Sequence, residues 1–135
     1  MAAQVTEEPA QMKWRPMNNK ELQALRKLFF LSVAEAAEHI GGVSARSWQF
    51  WESGKYSIPE DVADKMLQLA QRRLNMIETC EDLIRENKAA TEITHQYYVS
   101  LESFAARHPG STIIDWRLAQ SVAAYFCGEM ICRIV

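Results

Sequence analysis

The segment from Ser32 to Pro59, SVAEAAEHIGGVSARSWQFWESGKYSIP, constrains the fold more than any other part of the chain. Ser32-Val33-Ala34-Glu35 is a capping box: the serine oxygen accepts from a backbone N–H of the first turn and Glu35 reaches back. The helix it opens has Ala36, Ala37 and Ile40 as its packing face. Gly41-Gly42 ends it, because glycine tolerates the left-handed conformation of a helix stop. Ser44 caps a second helix, which runs through Arg46, Trp48 and Trp51 to Ser53 and stops at Gly54. The small alanines let the two helices cross closely, Val43 fills the turn from inside, and Trp48 and Trp51 face the core. Two short helices joined by a tight glycine turn are the layout of a helix-turn-helix.

The remaining elements follow from periodicity. Leu22, Leu25, Leu28 and Phe29 give one apolar face to a helix from about Asn18 to Leu31, capped by Asn18 or Asn19. Pro59 suits the first position of a fourth helix, with Glu60 and Asp61 against its positive end. No Gly or Pro interrupts residues 60–90, so this helix is long, and its stripe (Val62, Met66, Leu69, Met76, Cys80, Leu83) needs a partner in this chain or a second one. Thr91, Ile93, Thr94, Tyr97, Tyr98 and Val99 favour extended structure and predict one short strand over 91–99. Ser100 to His108 predicts a short helix, and Ile113 to Gly128 a last one. That last helix is apolar around most of its circumference, and a small protein has few places to bury it, so dimer formation is the economical expectation. The fold class expected is mainly α, with an N-terminal helix-turn-helix bundle and a C-terminal dimerisation region. The expected boundaries are 1–16 for a loose N-terminal extension, 17–59 for the helix-turn-helix core and 60–135 for the C-terminal region.

Function is read from the outward side of the second helix of the pair. In a helix-turn-helix that helix enters the major groove with its N-terminal residues at the base edges. Arg46 is the candidate for direct readout, since a guanidinium fork matches O6 and N7 of guanine. Gln49, one turn on, suits adenine or a phosphate, and Ala45 and Phe50 offer apolar contact to a thymine methyl. Ser44, Ser47 and Lys55 suit phosphate oxygens. Each has a plainer reading: Arg46 as a solvated charge, Lys55 as a turn lysine, Phe50 packed against the Tyr56 turn, and Glu52 as a local pair or cap. Phe50 and Tyr56 also leave RNA open as a second ligand.

Composition narrows the alternatives. The 135 residues carry 15 Lys and Arg against 17 Asp and Glu, a net charge of −2, which excludes a polybasic nucleic-acid binder. Residues 17–59 are net +1 and residues 60–135 net −3, too weak an asymmetry to identify a partner alone. The most apolar stretch, 113–135, is interrupted by Asp115, Arg117, Glu129 and Arg133, so no membrane span is expected and the cytoplasm is the default location. His39, His95 and His108 lie far apart, and Cys127 and Cys132 have the wrong spacing for a CxxC motif, so no metal or other cofactor is expected. No Walker loop, GxSxG or dinucleotide fingerprint is present, so neither an enzyme nor a small-molecule substrate is expected.

Residues 17–59 resemble helix-turn-helix domains of the phage-repressor type. MNNKELQALRKLFFLSVAEAAEHI followed by VSARSWQFWESG is similar to the anti-CRISPR-associated (Aca) repressors, and IIDWRLAQSVAA is similar to that family's C-terminal helix. The resemblance implies a homodimeric repressor that binds an inverted repeat in double-stranded DNA, in the promoter of its own operon, beside an anti-CRISPR gene. It maps the family's recognition arginine onto Arg46. It maps the dimer contact onto Trp116, Leu118, Val122, Tyr125 and Phe126. Val33 departs from the pattern, since wider relatives carry Gln there, and one polar contact is lost with it. The competing expectation is a helical protein-interaction or antitoxin-like module whose helix-turn-helix does not read DNA.

Overall fold

A computed structural model describes residues 16–87 and 92–135. The expected N-terminal extension lies almost wholly outside the described residues, as do the expected last turn of the long helix at 88–90 and the strand's first residue, Thr91. The first helix, α1 (Asn19–Leu28), begins at a capping box in which Asn18 Oδ1 accepts from the Glu21 amide at 2.8 Å and Glu21 accepts from the Asn18 amide at 3.0 Å. It stops three residues sooner than its periodicity predicts. Phe30 takes a left-handed conformation (φ 65°), and the Leu31 amide donates back to the Arg26 carbonyl at 3.1 Å. This turn swings Phe29 and Leu31 into the core, so burial, not propensity, sets the end of α1.

The Ser32 capping box forms as expected, with Glu35 N to Ser32 Oγ at 3.1 Å and Ser32 N to Glu35 Oε1 at 3.0 Å. It opens α2 (Val33–Ala36), which continues as a π-helical turn over Ala37–Gly41. Gly42, at φ 64°, ends it. Then α3 (Ala45–Ser53) runs from the Ser44 cap to Gly54, at φ 85°. The long helix α4 (Glu60–Glu86) has Pro59 as its cap residue, one place earlier than expected. At 27 residues it is about 40 Å long.

The predicted strand over 91–99 shrinks to β1 (Thr94–His95). Its partner was not foreseen: β2 (Arg133–Ile134) at the C-terminus pairs with it in parallel, with Thr94 opposite Arg133 and His95 opposite Ile134. The two helices between them form as expected, α5 (Leu101–Arg107) from the Ser100 cap and α6 (Ile113–Gly128) from a Thr112–Asp115 capping box. The mainly helical class is as predicted. No helix among the described residues is long and apolar enough to cross a membrane.

Two apolar clusters fill the molecule and share Met76 at their edges. The first packs α1, α2 and α3 on Val62 and Met66 of α4 and Leu118 of α6. The helix-turn-helix core therefore does not close at residue 59; it takes its floor from the C-terminal region. The second gathers Ile77, Val122, Phe126 and Cys132. The expectation that α6 needs a second chain for its burial is corrected here. Trp116, Leu118, Val122 and Phe126 are buried within the single chain, under α4, the segment before α5 and the C-terminal strand, and of the five residues assigned to a dimer contact only Tyr125 is partly open. The exposed large apolar residues of this region lie elsewhere, at Leu74, Leu83, Val99, Met130, Ile131, Ile134 and Val135.

Leu118→Ala is expected to cost about 2–5 kcal/mol, as for other buried leucines. Chemical denaturation checks this. The loss should be the same at every protein concentration; a loss that vanishes at high concentration would place Leu118 between subunits.

Candidate nucleic-acid interface

The candidate surface is one side of α3, and the other side of that helix is what holds it. Trp48 is fully buried and Trp51 nearly so, with their rings edge to face at 5.5 Å between centroids. They close on the turn so tightly that a Cβ on Gly41 would meet Val43, Trp51 and Trp48 at 3.1, 3.2 and 3.3 Å. Packing thus favours glycine at 41, where a side chain would press on Val43 and both indoles, and conformation favours it at 42.

A polar clamp then fixes α3 against α1. Glu52 Oε2 accepts from Trp48 Nε1 at 2.6 Å and from Arg26 Nε at 2.6 Å, while Oε1 accepts from Arg26 Nη2 at 3.0 Å. Gln23 donates to the same carboxylate at 3.4 Å, and Asn19 donates to the Glu52 carbonyl at 3.1 Å. Arg26 spends its third nitrogen on the Leu31 carbonyl, at 3.0 Å. Burial pushes the Glu52 carboxyl up, but the bonds from Arg26 and Trp48 and the Arg26 charge outweigh it and hold the group below its ordinary 4.5. Glu52 is a local pair, as the plainer reading expected, although Asn19, Gln23 and Arg26 as its partners escaped the sequence.

With that side occupied, Ser44, Ala45, Arg46 and Gln49 are exposed on the first turns of α3, and Ser47 and Phe50 are partly covered. The Arg46 guanidinium lies 5.4 Å from the Phe50 ring centroid, and no carboxylate among the described residues pairs with it. Phe50 packs edge to face on Tyr56 at 5.3 Å, with Lys55 Nζ 4.4 Å from its ring centroid. The packing alternative for Phe50 is therefore realised, and its ring sits under two cations as well. Ser44 Oγ accepts from the Ser47 amide at 3.2 Å, so its oxygen already serves as the helix cap. Ser44, Ala45, Arg46 and Gln49 lie exposed along the first turns of α3, and Lys55, beyond its C-terminal end, approaches them only through the Phe50 ring that it shares with Arg46. The α6 residues lie apart from this surface, inside the protein. Among the described residues no group of three His, Cys, Asp or Glu side chains converges as a metal site.

The depressed carboxyl of Glu52 makes a signed prediction. Its pair contributes stability in full above 4.5 and loses it as pH falls through and below that value, because the unfolded chain then binds the proton first. Glu35 and Asp115, also held low, act in the same direction. Glu52→Gln should cost about 3–5 kcal/mol at neutral pH by leaving the Arg26 charge buried and unpaired. It should also flatten the acid limb of stability against pH in denaturant titrations; an unchanged limb would remove Glu52 from this role.

Comparison with known proteins places most of the chain in one family. Residues 17–133 match the Aca2/YdiL-like family. The chain is 47% identical over 113 residues to the Aca2 repressor of Pectobacterium phage ZF40, covering 84% of this chain and 95% of that one. It is 35% identical over 109 residues to YdiL of Escherichia coli (strain K12), an uncharacterised protein, covering 80% of this chain and 91% of that one. The helix-turn-helix segment, the α6 motif and the mainly helical fold all lie inside the matched span, and the chain belongs to the Aca2/YdiL-like family.

Proposed function

We propose that this protein is a homodimeric, sequence-specific DNA-binding repressor. It binds an inverted repeat in the promoter of its own operon, and an anti-CRISPR gene is the neighbour it silences. The observation that carries this reading is the exposed, carboxylate-free Arg46 on the first turn of a helix locked by the Glu52 clamp. A rigid helix is what bidentate readout needs, since the guanidinium must meet O6 and N7 of guanine together. The similarity to a protein named a repressor supports the role. Gln49 reads the neighbouring base, Ala45 meets a thymine methyl, and Ser44, Ser47 and Lys55 face phosphates. With a net charge of only −2 and one extra cation over residues 17–59, affinity leans on base contacts more than on counterion release. The C-terminal region, residues 60–135, carries the pairing of the two copies, and the protein works in the cytoplasm.

Selection from a random duplex pool tests the reading. It should return an inverted repeat with half-site centres about 10 base pairs, or a multiple of that, apart. Arg46→Ala should weaken the selected repeat by about 1–3 kcal/mol and relax the base opposite it. Lys55→Ala should weaken all duplexes alike and reduce the salt slope by about 1. Recovery of no common sequence, or equal binding by Arg46→Ala, would overturn the reading; a parallel pool of RNA reports the second ligand class. Light scattering should give twice the 15.5 kDa of one chain, and a monomer at micromolar concentration would remove the two-fold site.

A further inference from the structure

We infer that Arg117 of α6 is a positioning residue for DNA binding: through Glu35 it sets the angle of the helix-turn-helix on the C-terminal region, and so the half-site spacing the dimer accepts. The inference rests on the two-headed reading above and deepens it. Arg117 spends all three guanidinium nitrogens. Nε donates to Glu35 Oε1 at 3.0 Å, Nη2 to Glu35 Oε2 at 2.8 Å and Nη1 to Gln120 Oε1 at 2.9 Å. Its guanidinium carbon stands 4.0 Å from the Trp116 ring centroid. Trp116 and Gln120 are in turn tied to the Tyr98 carbonyl, at 2.7 and 2.9 Å. The fork therefore has one orientation, and a bidentate fork transmits orientation as well as attraction.

Glu35 is the other half of the device. Its Oε1 also accepts from the Ser32 amide at 3.0 Å, so one carboxylate both caps α2 and receives α6. Helix α2 is the element that α3 crosses at the Gly41 turn. A rotation at this strut is thus carried from α6 through α2 to Arg46. The strut does not hold the fold together: the shared core with Leu118, the continuous α4 and the Lys65 bond to the Ile40 carbonyl do that. Losing it leaves a folded protein whose reading heads are less tightly oriented.

The test uses the full chain, the inverted repeat recovered by selection, copies of it with the spacer changed by one or two base pairs, and a single half-site. Wild type should prefer one spacing by about tenfold or more. Arg117→Gln and Glu35→Gln should each flatten that preference while half-site affinity and helical content are kept. Glutamine at 35 still completes the capping box, so the variant removes the charge and not the cap. The double variant should behave as either single one, and Arg117→Lys should restore part of the preference. Unchanged spacing preference in both single variants would overturn the inference. So would a uniform loss at every spacing, half-site included, that follows the loss of thermal stability, since that is what a purely structural pair gives. A wild type that selects no duplex sinks the DNA reading itself and this inference with it.

Discussion

The Glu52 carboxylate is the interaction on which the orientation of α3 depends. It is nearly buried, accepts from the indole of Trp48 and takes the Arg26 fork from α1. A buried carboxylate with one partner would be a liability, because desolvation costs more than a single bond returns. Here Trp48, Arg26 and Gln23 share it, and Asn19 holds the adjacent carbonyl. The apolar pair Trp48 and Trp51 supplies the burial that stabilises α3, while Glu52 supplies direction. The close fit of the two indoles on the turn already limits rolling, and the charged clamp adds directional bonds to it. Everything outward on α3, from Ser44 to Gln49, inherits its orientation from what is inward.

The same division recurs between α6 and α2. Leu118, Val122 and Phe126 give α6 its place in the core, and the Arg117–Glu35 fork gives its neighbour an angle. Arg72 to Asp115 adds a link from α4 to the start of α6. Val62, Met66 and Leu118 lie in the same cluster as α1, α2 and α3, so the C-terminal region and the helix-turn-helix share that core. Sharing a core couples the half expected to pair with a second copy to the half expected to meet DNA. In a protein with two independent domains that coupling would be left to a linker.

Local chemistry was legible in the sequence wherever a few adjacent residues decide the backbone. The Ser32–Glu35 capping box, the Gly42 and Gly54 stops, the Ser44 cap and the span of α6 follow from positions a few residues apart. The inward tryptophans and outward Arg46 follow from helical spacing. The end of α1 was not legible, because Phe29 and Leu31 have acceptable helical propensity and only the core tells the chain to turn there. Nor was β2, whose partner lies 39 residues earlier along the chain and whose pairing is set by where α6 ends. What covers α6 is not legible for the same reason: an apolar helix announces that it must be covered, not by what.

What the sequence determined by itself, then, is the order of the helices, though not the π-helical turn over Ala37–Gly41, and which side of α3 is polar, since these depend on spacing and capping within a turn or two. The tertiary structure decided which groups meet across distance: Arg26 with Glu52, Arg117 with Glu35 over 82 residues, and Leu118 with the helix-turn-helix core. Charges in a sequence carry no address. Only once the core has fixed the separation of two helices can a guanidinium and a carboxylate be found at bonding distance, and at that point they set the angle that the core leaves open.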